Sequence, residues 1–115
     1  MNFKVEDKAD GRVTVISIPE RLTTETSDDL KQILKELVEA GKYNIVMDLA
    51  KTKYMDSSGL GAIVSKIAST RSKKGDIRLA NPRKYVLDLL ALTHINQIIK
   101  VYNNLEQAVE SFKES

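Results

Sequence analysis

The stretch YMDSSGLGAIV places an acid, two adjacent hydroxyls and two glycines immediately before an apolar helical pattern. Three kinds of chemistry suit these residue types. Asp56 or Ser57 could cap the helix, and Ser58 could be a nucleophile or could accept a phosphate. A cap requires only one residue, so the second serine and both glycines need a further explanation. This stretch is therefore the first candidate for a functional site.

Gly59 and Gly61 are unusual in a helical pattern, because each costs roughly 1 kcal/mol relative to alanine in a helix interior. Close packing of the helix against a sheet would explain them structurally. A functional explanation is that bare backbone lets another molecule approach the start of the helix. At the level of sequence both explanations stay open.

Ser58 is predicted to lie in the first turn of this helix. Its hydroxyl would then be beside unpaired N–H groups and the positive end of the helix dipole, where a phosphate is readily accommodated. A phosphoserine there would add close to two negative charges beside Asp56 and could expel a partner through repulsion and desolvation. Such a serine could act as a switch.

The elements that must position these residues follow from the period of the apolar pattern, which alternates between strand-like and helix-like stretches. The chain predicts an α/β fold with a mixed, mainly parallel sheet of about five strands and about four helices. The predicted strands are FKVED and RVTVISI as a hairpin, then YNIVMDLA, DIRLA and QIIKVY, and the predicted helices are TETSDDLKQILKELVEAG, the GLGAIV helix, ANPRKYVLDLLALTH and NLEQAVESF. Loops after parallel strands meet at one rim of such a sheet, which is where the candidate site should lie.

Two predicted helices carry specific local signals. The apolar stripe from Leu60 to Ala68 predicts one continuous helix that fades in the basic segment TRSKKG. Asn81 followed by Pro82 predicts the start of the next helix, with an N-cap and then proline at the first helical position.

Length and composition are typical of one soluble globular domain spanning residues 1–115, with 42% apolar and 30% charged residues. Cysteine is absent, which removes disulfides and thiolate chemistry. The net charge is +2 and the lysines are interleaved with acids, so nucleic acid is not an expected partner. Without a signal-peptide pattern or a membrane-length apolar run, we expect a cytoplasmic protein and no membrane partner.

Two chemical alternatives are weaker on the same residues. A serine hydrolase needs a base and an oxyanion site, but His94 is the only histidine and Ser58 lacks the G-x-S-x-G elbow. A nucleotide-binding module is suggested by GLGAIV, yet Val64 stands where a dinucleotide fingerprint wants glycine or alanine. No set of metal ligands is visible, and no cofactor is expected.

The stretch YMDSSGLGAIV resembles the phosphorylation motif of bacterial anti-sigma factor antagonists, small proteins built from a STAS domain. The resemblance extends over IVMDLAKTKYMDSSGLGAIV and LTHINQIIKVYNNLEQAV. It matches Ser58 to the phosphorylated serine and Asp56 to the acid just upstream. Where many family members have a GELD-like stretch, this chain has ERLT, which ends at Thr23.

The resemblance implies a partner-switching protein that performs no chemistry of its own. In that cycle the dephosphorylated antagonist binds an anti-sigma factor and frees a sigma factor for transcription. The anti-sigma factor is also a serine kinase that phosphorylates the antagonist, and a metal-dependent serine phosphatase reverses the modification. A STAS-type signalling scaffold is the alternative within the same family. The predicted partner-binding residues are Asp56, Ser57, Ser58, Gly59, Leu60, Gly61, Thr23 and Thr24.

Overall fold

A computed structural model describes residues 3–114, which form seven strands and five α-helices. The strands are β1 (Lys4–Lys8), β2 (Val13–Ser17), β3 (Arg21–Leu22), β4 (Asn44–Asp48), β5 (Tyr54–Met55), β6 (Asp76–Ala80) and β7 (Val101–Tyr102). The helices are α1 (Thr24–Glu39), α2 (Ser57–Val64), α3 (Ile67–Ser72), α4 (Lys84–Leu92) and α5 (Leu105–Glu110). Two short 3-10 helices cover Ile95–Gln97 and Ser111–Glu114.

The main sheet has five strands in the order β1-β2-β4-β6-β7. Strands β1 and β2 form the predicted antiparallel hairpin, and β2, β4, β6 and β7 run parallel. The loops that follow β2, β4 and β6 therefore emerge at the same rim of the sheet. The mainly parallel α/β architecture expected from the sequence is confirmed.

The sheet separates two apolar layers, and alternation along the strands explains both. In β2, Ile16 packs into the larger layer with helices α1 to α4, whereas Val15 packs into a smaller layer beneath α5. In β4, Met47 likewise packs into the larger layer and Val46 into the smaller one. Because the central strands are buried on both faces, they contain nearly continuous apolar residues.

The single helix predicted across Leu60 to Ala68 is wrong, because the structure divides this segment into α2 and α3. The backbone N–H of Ser65 donates to the Ala62 carbonyl oxygen at 3.2 Å, and its hydroxyl donates to the same oxygen at 2.8 Å. Lys66 then leaves the helical region with φ −118° and ψ 16°. The apolar stripe continues across the break because Ile67 is again buried.

The predicted start of the next helix at Asn81 and Pro82 is also wrong. Helix α4 begins at Lys84, and Arg83 is its N-cap. Asn81 adopts a left-handed conformation with φ 57°, and its side-chain amide donates to Oδ1 of Asp48 at 3.1 Å. This asparagine therefore joins the loops that follow β4 and β6, which is a contact that the local sequence pattern does not reveal.

The last predicted strand, QIIKVY, is shorter in the structure. Only Val101 and Tyr102 pair with the sheet, opposite Leu79 and Ala80. The preceding segment includes the 3-10 helix Ile95–Gln97, which lies outside the ladder.

An ion-pair cluster connects Asp76, the buried first residue of β6, to the buried Arg78 and the exposed Arg71. The carboxylate of Asp76 accepts from Nε of Arg71 at 2.8 Å and from Nε of Arg78 at 3.0 Å. Burial raises the pKa of the Asp76 carboxyl group, but hydrogen bonds from both arginines and from the Ile77 N–H outweigh it and hold that pKa below its ordinary value. The Arg78 guanidinium also stacks on Phe112, 4.1 Å from the ring centroid.

This cluster makes the fold sensitive to acid. Because the folded-state pKa of Asp76 is lowered, its contribution to stability is present above about pH 4 and is lost as the pH falls through the folded-state value. We expect the free energy of unfolding to fall less steeply below pH 4 in Asp76→Asn than in the parent chain, as measured by urea titration. Asp88→Asn, which removes an exposed pair with Lys84, should leave the slope unchanged. Equal slopes for parent and Asp76→Asn would contradict this assignment.

Candidate functional site

Helix α2 begins at Ser57, and Asp56 is its N-cap. Asp56 has an extended backbone with φ −109°, and its Oδ1 accepts a hydrogen bond from the Gly59 N–H at 3.0 Å. Of the two capping candidates, the structure selects Asp56. Ser57 and Ser58 therefore occupy the first turn, where backbone N–H groups have no acceptor within the helix.

Ser58 meets the start of a second helix at the rim of the sheet. Its hydroxyl lies 3.2 Å from the hydroxyl of Thr24, the first residue of α1, and Ser58 is partly exposed. Helices α1 and α2 pack directly against each other. The site thus combines two hydroxyls from residues 34 positions apart in the chain, both at helix N-termini.

A two-stranded parallel sheet, β3 with β5, supports these helix starts and was not predicted. Leu22 in β3 pairs with Met55 in β5, and the Leu22 carbonyl oxygen accepts from the Asp56 N–H at 3.2 Å. Thr23 follows as the N-cap of α1, and its backbone N–H donates to the Thr26 hydroxyl at 2.9 Å. The ERLT segment therefore lies beside the serine motif.

Thr52 anchors the loop that leads into this small sheet. Its side chain is fully buried, and its hydroxyl lies within hydrogen-bond distance of the Pro19 carbonyl oxygen at 3.0 Å. The backbone N–H groups of Lys53 and Tyr54 donate to the Glu20 carbonyl oxygen. These contacts join the loops after β2 and β4 and thereby hold the small sheet that supports the candidate site.

The two glycines of the motif have different surroundings. Gly59 is buried, and a Cβ placed on it would press against the carbonyl oxygen of Leu22 and lie 2.9 Å from Cγ of Met55. Gly61 is exposed, and a Cβ there would meet nothing within 4 Å. Packing therefore explains Gly59, whereas Gly61 keeps its bare backbone without a packing reason.

Leu60 belongs to the apolar core, where its side chain is only 7% exposed. Such a side chain has little surface to offer a partner. Among the predicted partner-binding residues, Thr24, Ser57 and Gly61 are exposed, while Thr23 and Asp56 are partly exposed.

An aromatic stack at the same rim was missed by the sequence analysis. The Arg21 guanidinium lies 4.6 Å from the centroid of the Tyr54 ring, and Tyr54 stacks on Tyr85 with 6.0 Å between ring centroids. Tyr54 is 38% and Tyr85 47% exposed. Tyr54 opens the serine motif itself, but its partner on α4 could not be inferred from local spacing.

The positions of Gly59, Gly61 and His94 are relevant to the two alternatives, nucleotide binding and serine hydrolysis. Gly59 and Gly61 lie inside α2, whereas a dinucleotide fingerprint needs its first glycines in the turn before the helix. His94 is exposed and lies just beyond the end of α4, with φ 62°. Within residues 3–114, no cluster of three or more His, Cys, Asp or Glu side chains could hold a metal ion.

A family comparison covers nearly the whole described chain. Residues 4–108 match the family model of the STAS domain. This chain belongs to the STAS domain family. The family membership predicted from the serine motif is therefore confirmed. Ser58 lies within the part of the chain that matches the STAS domain.

Individual relatives of this STAS domain agree in length and fold. The anti-sigma F factor antagonist of Paenibacillus polymyxa is 27% identical over 105 residues, covering 90% of each chain. A crystal structure from Thermotoga maritima superposes with a TM-score of 0.85 at 28% identity and covers 95% of this chain and 92% of the other. The anti-sigma factor antagonist SpoIIAA in its unphosphorylated form has a TM-score of 0.83 at 18% identity, with 98% and 97% covered. That last likeness concerns the fold alone.

Among the described helices of this STAS domain, none combines the length and the apolar character needed to cross a bilayer.

Proposed function

We propose that this STAS domain is an anti-sigma factor antagonist whose binding is switched by phosphorylation of Ser58. In its dephosphorylated form it binds an anti-sigma factor that is also a serine kinase, and thereby frees a sigma factor in the cytoplasm. A metal-dependent serine phosphatase restores that form. The observation that carries the proposal is the partly exposed hydroxyl of Ser58 in the first turn of α2.

The start of α2 can accommodate a phosphate without unfolding. Asp56 already accepts from the Gly59 N–H, which leaves the N–H groups of Ser57 and Ser58 available to phosphate oxygens. The positive end of the helix dipole favours the added charge. Phosphorylation would thus change the surface of the domain while its core stays the same.

The same charge should expel a partner. A phosphate on Ser58 would displace the hydroxyl contact with Thr24 and stand close to the carboxylate of Asp56. Glu25, the residue after Thr24, adds an acid in the first turn of α1. A partner that covers this rim would have to bury a cluster of negative charges, which is strongly unfavourable unless each charge is paired.

The proposed partner surface is the rim around Ser58. From the residues singled out in the sequence it includes Thr23, Thr24, Asp56, Ser57 and Gly61, because their backbone or side chains are accessible. Exposed aromatic rings are frequent anchors of protein interfaces, so the stack of Arg21, Tyr54 and Tyr85 extends this surface. Gly59 and Leu60 contribute to the partner surface indirectly, because they pack α2 against β3 and the core.

Ser58→Ala tests the modified atom directly. We expect this variant to fold like the parent, to bind the cognate anti-sigma kinase, and to take up no phosphate during incubation with the kinase and ATP. Removing the hydroxyl loses only an exposed hydrogen bond to Thr24, so the free energy of unfolding should change by less than about 1 kcal/mol. Mass spectrometry of the intact chain and of its peptides provides the measurement.

Ser57→Ala is the matched control for that experiment, since Ser57 occupies the same helical turn. It should still take up one phosphate, on Ser58. Phosphate found on Ser57 or on Thr24 of the parent chain would contradict the assignment to Ser58.

A further inference from the structure

A second concave site lies at the opposite end of the sheet from Ser58. A cavity of about 320 Å³ opens where β2, β4 and β6 begin, between the β1–β2 turn, the ends of α1 and α3, and the last turn of the chain. This volume is at the lower end of the range typical of small-molecule sites. The cavity shares no lining residue with the serine motif.

The cavity concentrates positive charge from four separate segments of the chain. The cations that line it are Arg12, Lys42, Lys73, Lys74 and Lys113, and none of its described lining residues is acidic. The whole chain has 18 Lys and Arg against 16 Asp and Glu. A nearly balanced sequence is therefore folded into a site whose charged lining residues are all cations, bordered by Asp7 through its hydrogen bonds to Lys42 and Thr14, and such a concave site concentrates anions.

The turns around the cavity are held in place by contacts with one another. Nε of Arg12 donates to the Ala9 carbonyl oxygen at 3.0 Å, and the side-chain amide of Asn44 donates to the Arg12 carbonyl oxygen at 3.3 Å. Gly75 packs so tightly on the Tyr43 backbone that a Cβ would not fit. The cationic side chains thus project from a preorganised frame.

Helix ends account for part of this charge but not for all of it. Lys73 is the C-cap of α3, and Lys42 follows the end of α1, so both are well placed to balance the negative end of a helix dipole. Lys42 also pairs with Asp7 at 2.7 Å. Arg12 lies in the hairpin turn after β1, where no helix ends, and Lys74 adds a second cation at a helix end that already has one.

The other residues that line the cavity are uncharged, and they include both apolar and polar side chains. Val109 and Phe112 form the side contributed by the C-terminal segment, while the Thr14 hydroxyl donates to Asp7 and the Asn44 amide donates to the Arg12 carbonyl oxygen. We propose that this cavity binds a small anion with two or more linked phosphate groups. The lysines would contact the phosphate oxygens, and any organic part would lie against Val109 and Phe112. This site is independent of the proposed switch at Ser58.

Binding of pyrophosphate and ATP to the full chain tests the proposal, with inorganic phosphate as a single-phosphate comparison. Isothermal titration calorimetry should give saturable binding of the first two and much weaker binding of the third. In 15N-labelled protein, the amide shifts that move should be those of Gly11, Arg12, Asn44 and Gly75, not those around Ser58. Shifts confined to the serine motif would overturn the proposed location.

Variants separate this site from general attraction by charge. Lys73→Gln combined with Lys113→Gln removes two lining cations and leaves Arg12 and Lys74 in place to preserve their turns. We expect it to weaken pyrophosphate binding by about tenfold, because two nearby attractive charges are lost. The control, Lys31→Gln with Lys35→Gln, removes the same charge from the exposed surface of α1 and should leave affinity within about twofold.

Three results would overturn the proposal. The first is the absence of saturable binding of pyrophosphate and ATP to the parent chain. The second is an equal loss of affinity in the two double variants, which would indicate attraction by net charge alone. The third is binding of a single-stranded oligonucleotide with no binding of pyrophosphate, which would indicate a nucleic-acid surface in place of a small-anion site.

Discussion

Replacing Ser58 by aspartate should weaken binding of the cognate anti-sigma kinase by more than about a hundredfold, since an unpaired like charge in an interface costs several kcal/mol. The aspartate would stand in the first turn of α2, close to Asp56 and opposite Thr24. A partner covering this rim would have to desolvate the new carboxylate without a cation to pair it. Surface plasmon resonance with the immobilised kinase gives the affinity.

The thermal stability of Ser58→Asp should not fall together with its affinity for the kinase. A carboxylate in the first turn of a helix interacts favourably with the dipole, by about 0.3–1 kcal/mol at a surface site. The thermal midpoint of Ser58→Asp should therefore equal or slightly exceed that of the parent. A loss of binding with an unchanged midpoint separates a switched surface from a damaged fold.

Ser58→Asn is the matched control for charge. It has nearly the same shape as aspartate but is neutral, so most of the parental affinity should remain. If Ser58→Asn and Ser58→Asp lose affinity equally, side-chain size would be the cause and the electrostatic switch would be wrong.

The two glycines of the motif should respond in opposite directions to the same substitution. In Gly59→Ala the new Cβ meets the carbonyl oxygen of Leu22, which cannot easily move because it also accepts from the Asp56 N–H. Overpacking of this kind costs up to about 3 kcal/mol, against a gain of about 1 kcal/mol in helix propensity. We expect a net loss of about 2 kcal/mol in the free energy of unfolding.

In Gly61→Ala the new Cβ meets nothing within 4 Å, so the helix-propensity gain remains uncompensated. We expect the free energy of unfolding to rise by about 1 kcal/mol. Urea titrations of both variants, compared at a common slope, measure the difference. Destabilisation by both substitutions, or by neither, would contradict the different packing of the two positions.

Kinase binding by the Gly59→Ala and Gly61→Ala variants provides a second test. If the bare backbone at Gly61 is part of the partner surface, Gly61→Ala should weaken kinase binding although it stabilises the domain. Gly59→Ala should affect binding only as far as it displaces α2. A stabilised Gly61→Ala with parental affinity would remove Gly61 from the proposed surface.

Several parts of the fold could be predicted from local patterns alone. The hairpin of β1 and β2 follows from the turn-like KADG between two strand-like stretches, and helix α1 and the buried strands β4 and β6 follow from their apolar periods. The position of Ser58 in a first helical turn also followed from local sequence, because Asp56 is a strong cap and an apolar stripe begins just after it.

Other parts depended on contacts between distant segments. Asn81 has the local signature of an N-cap, but its amide donates to Asp48, and α4 starts two residues later than predicted, with Arg83 as its cap. The apolar stripe that predicted one helix from Leu60 does continue, but the helix breaks at Ser65 and Lys66. Strands β3 and β5 have only two residues each, too short for any periodic signal.

The sequence by itself determined the α/β class and a helix start with Asp56 or Ser57 as its cap, because apolar periods and caps are local signals, and it offered Ser58 as the candidate serine through its resemblance to a family motif. Only the tertiary structure decided that Thr24 meets Ser58, that Gly59 is enclosed while Gly61 is open, and that interleaved cations converge on one cavity. Those features depend on which strand ends lie side by side. Strand order and crossovers set that arrangement, and a local pattern has no information on it.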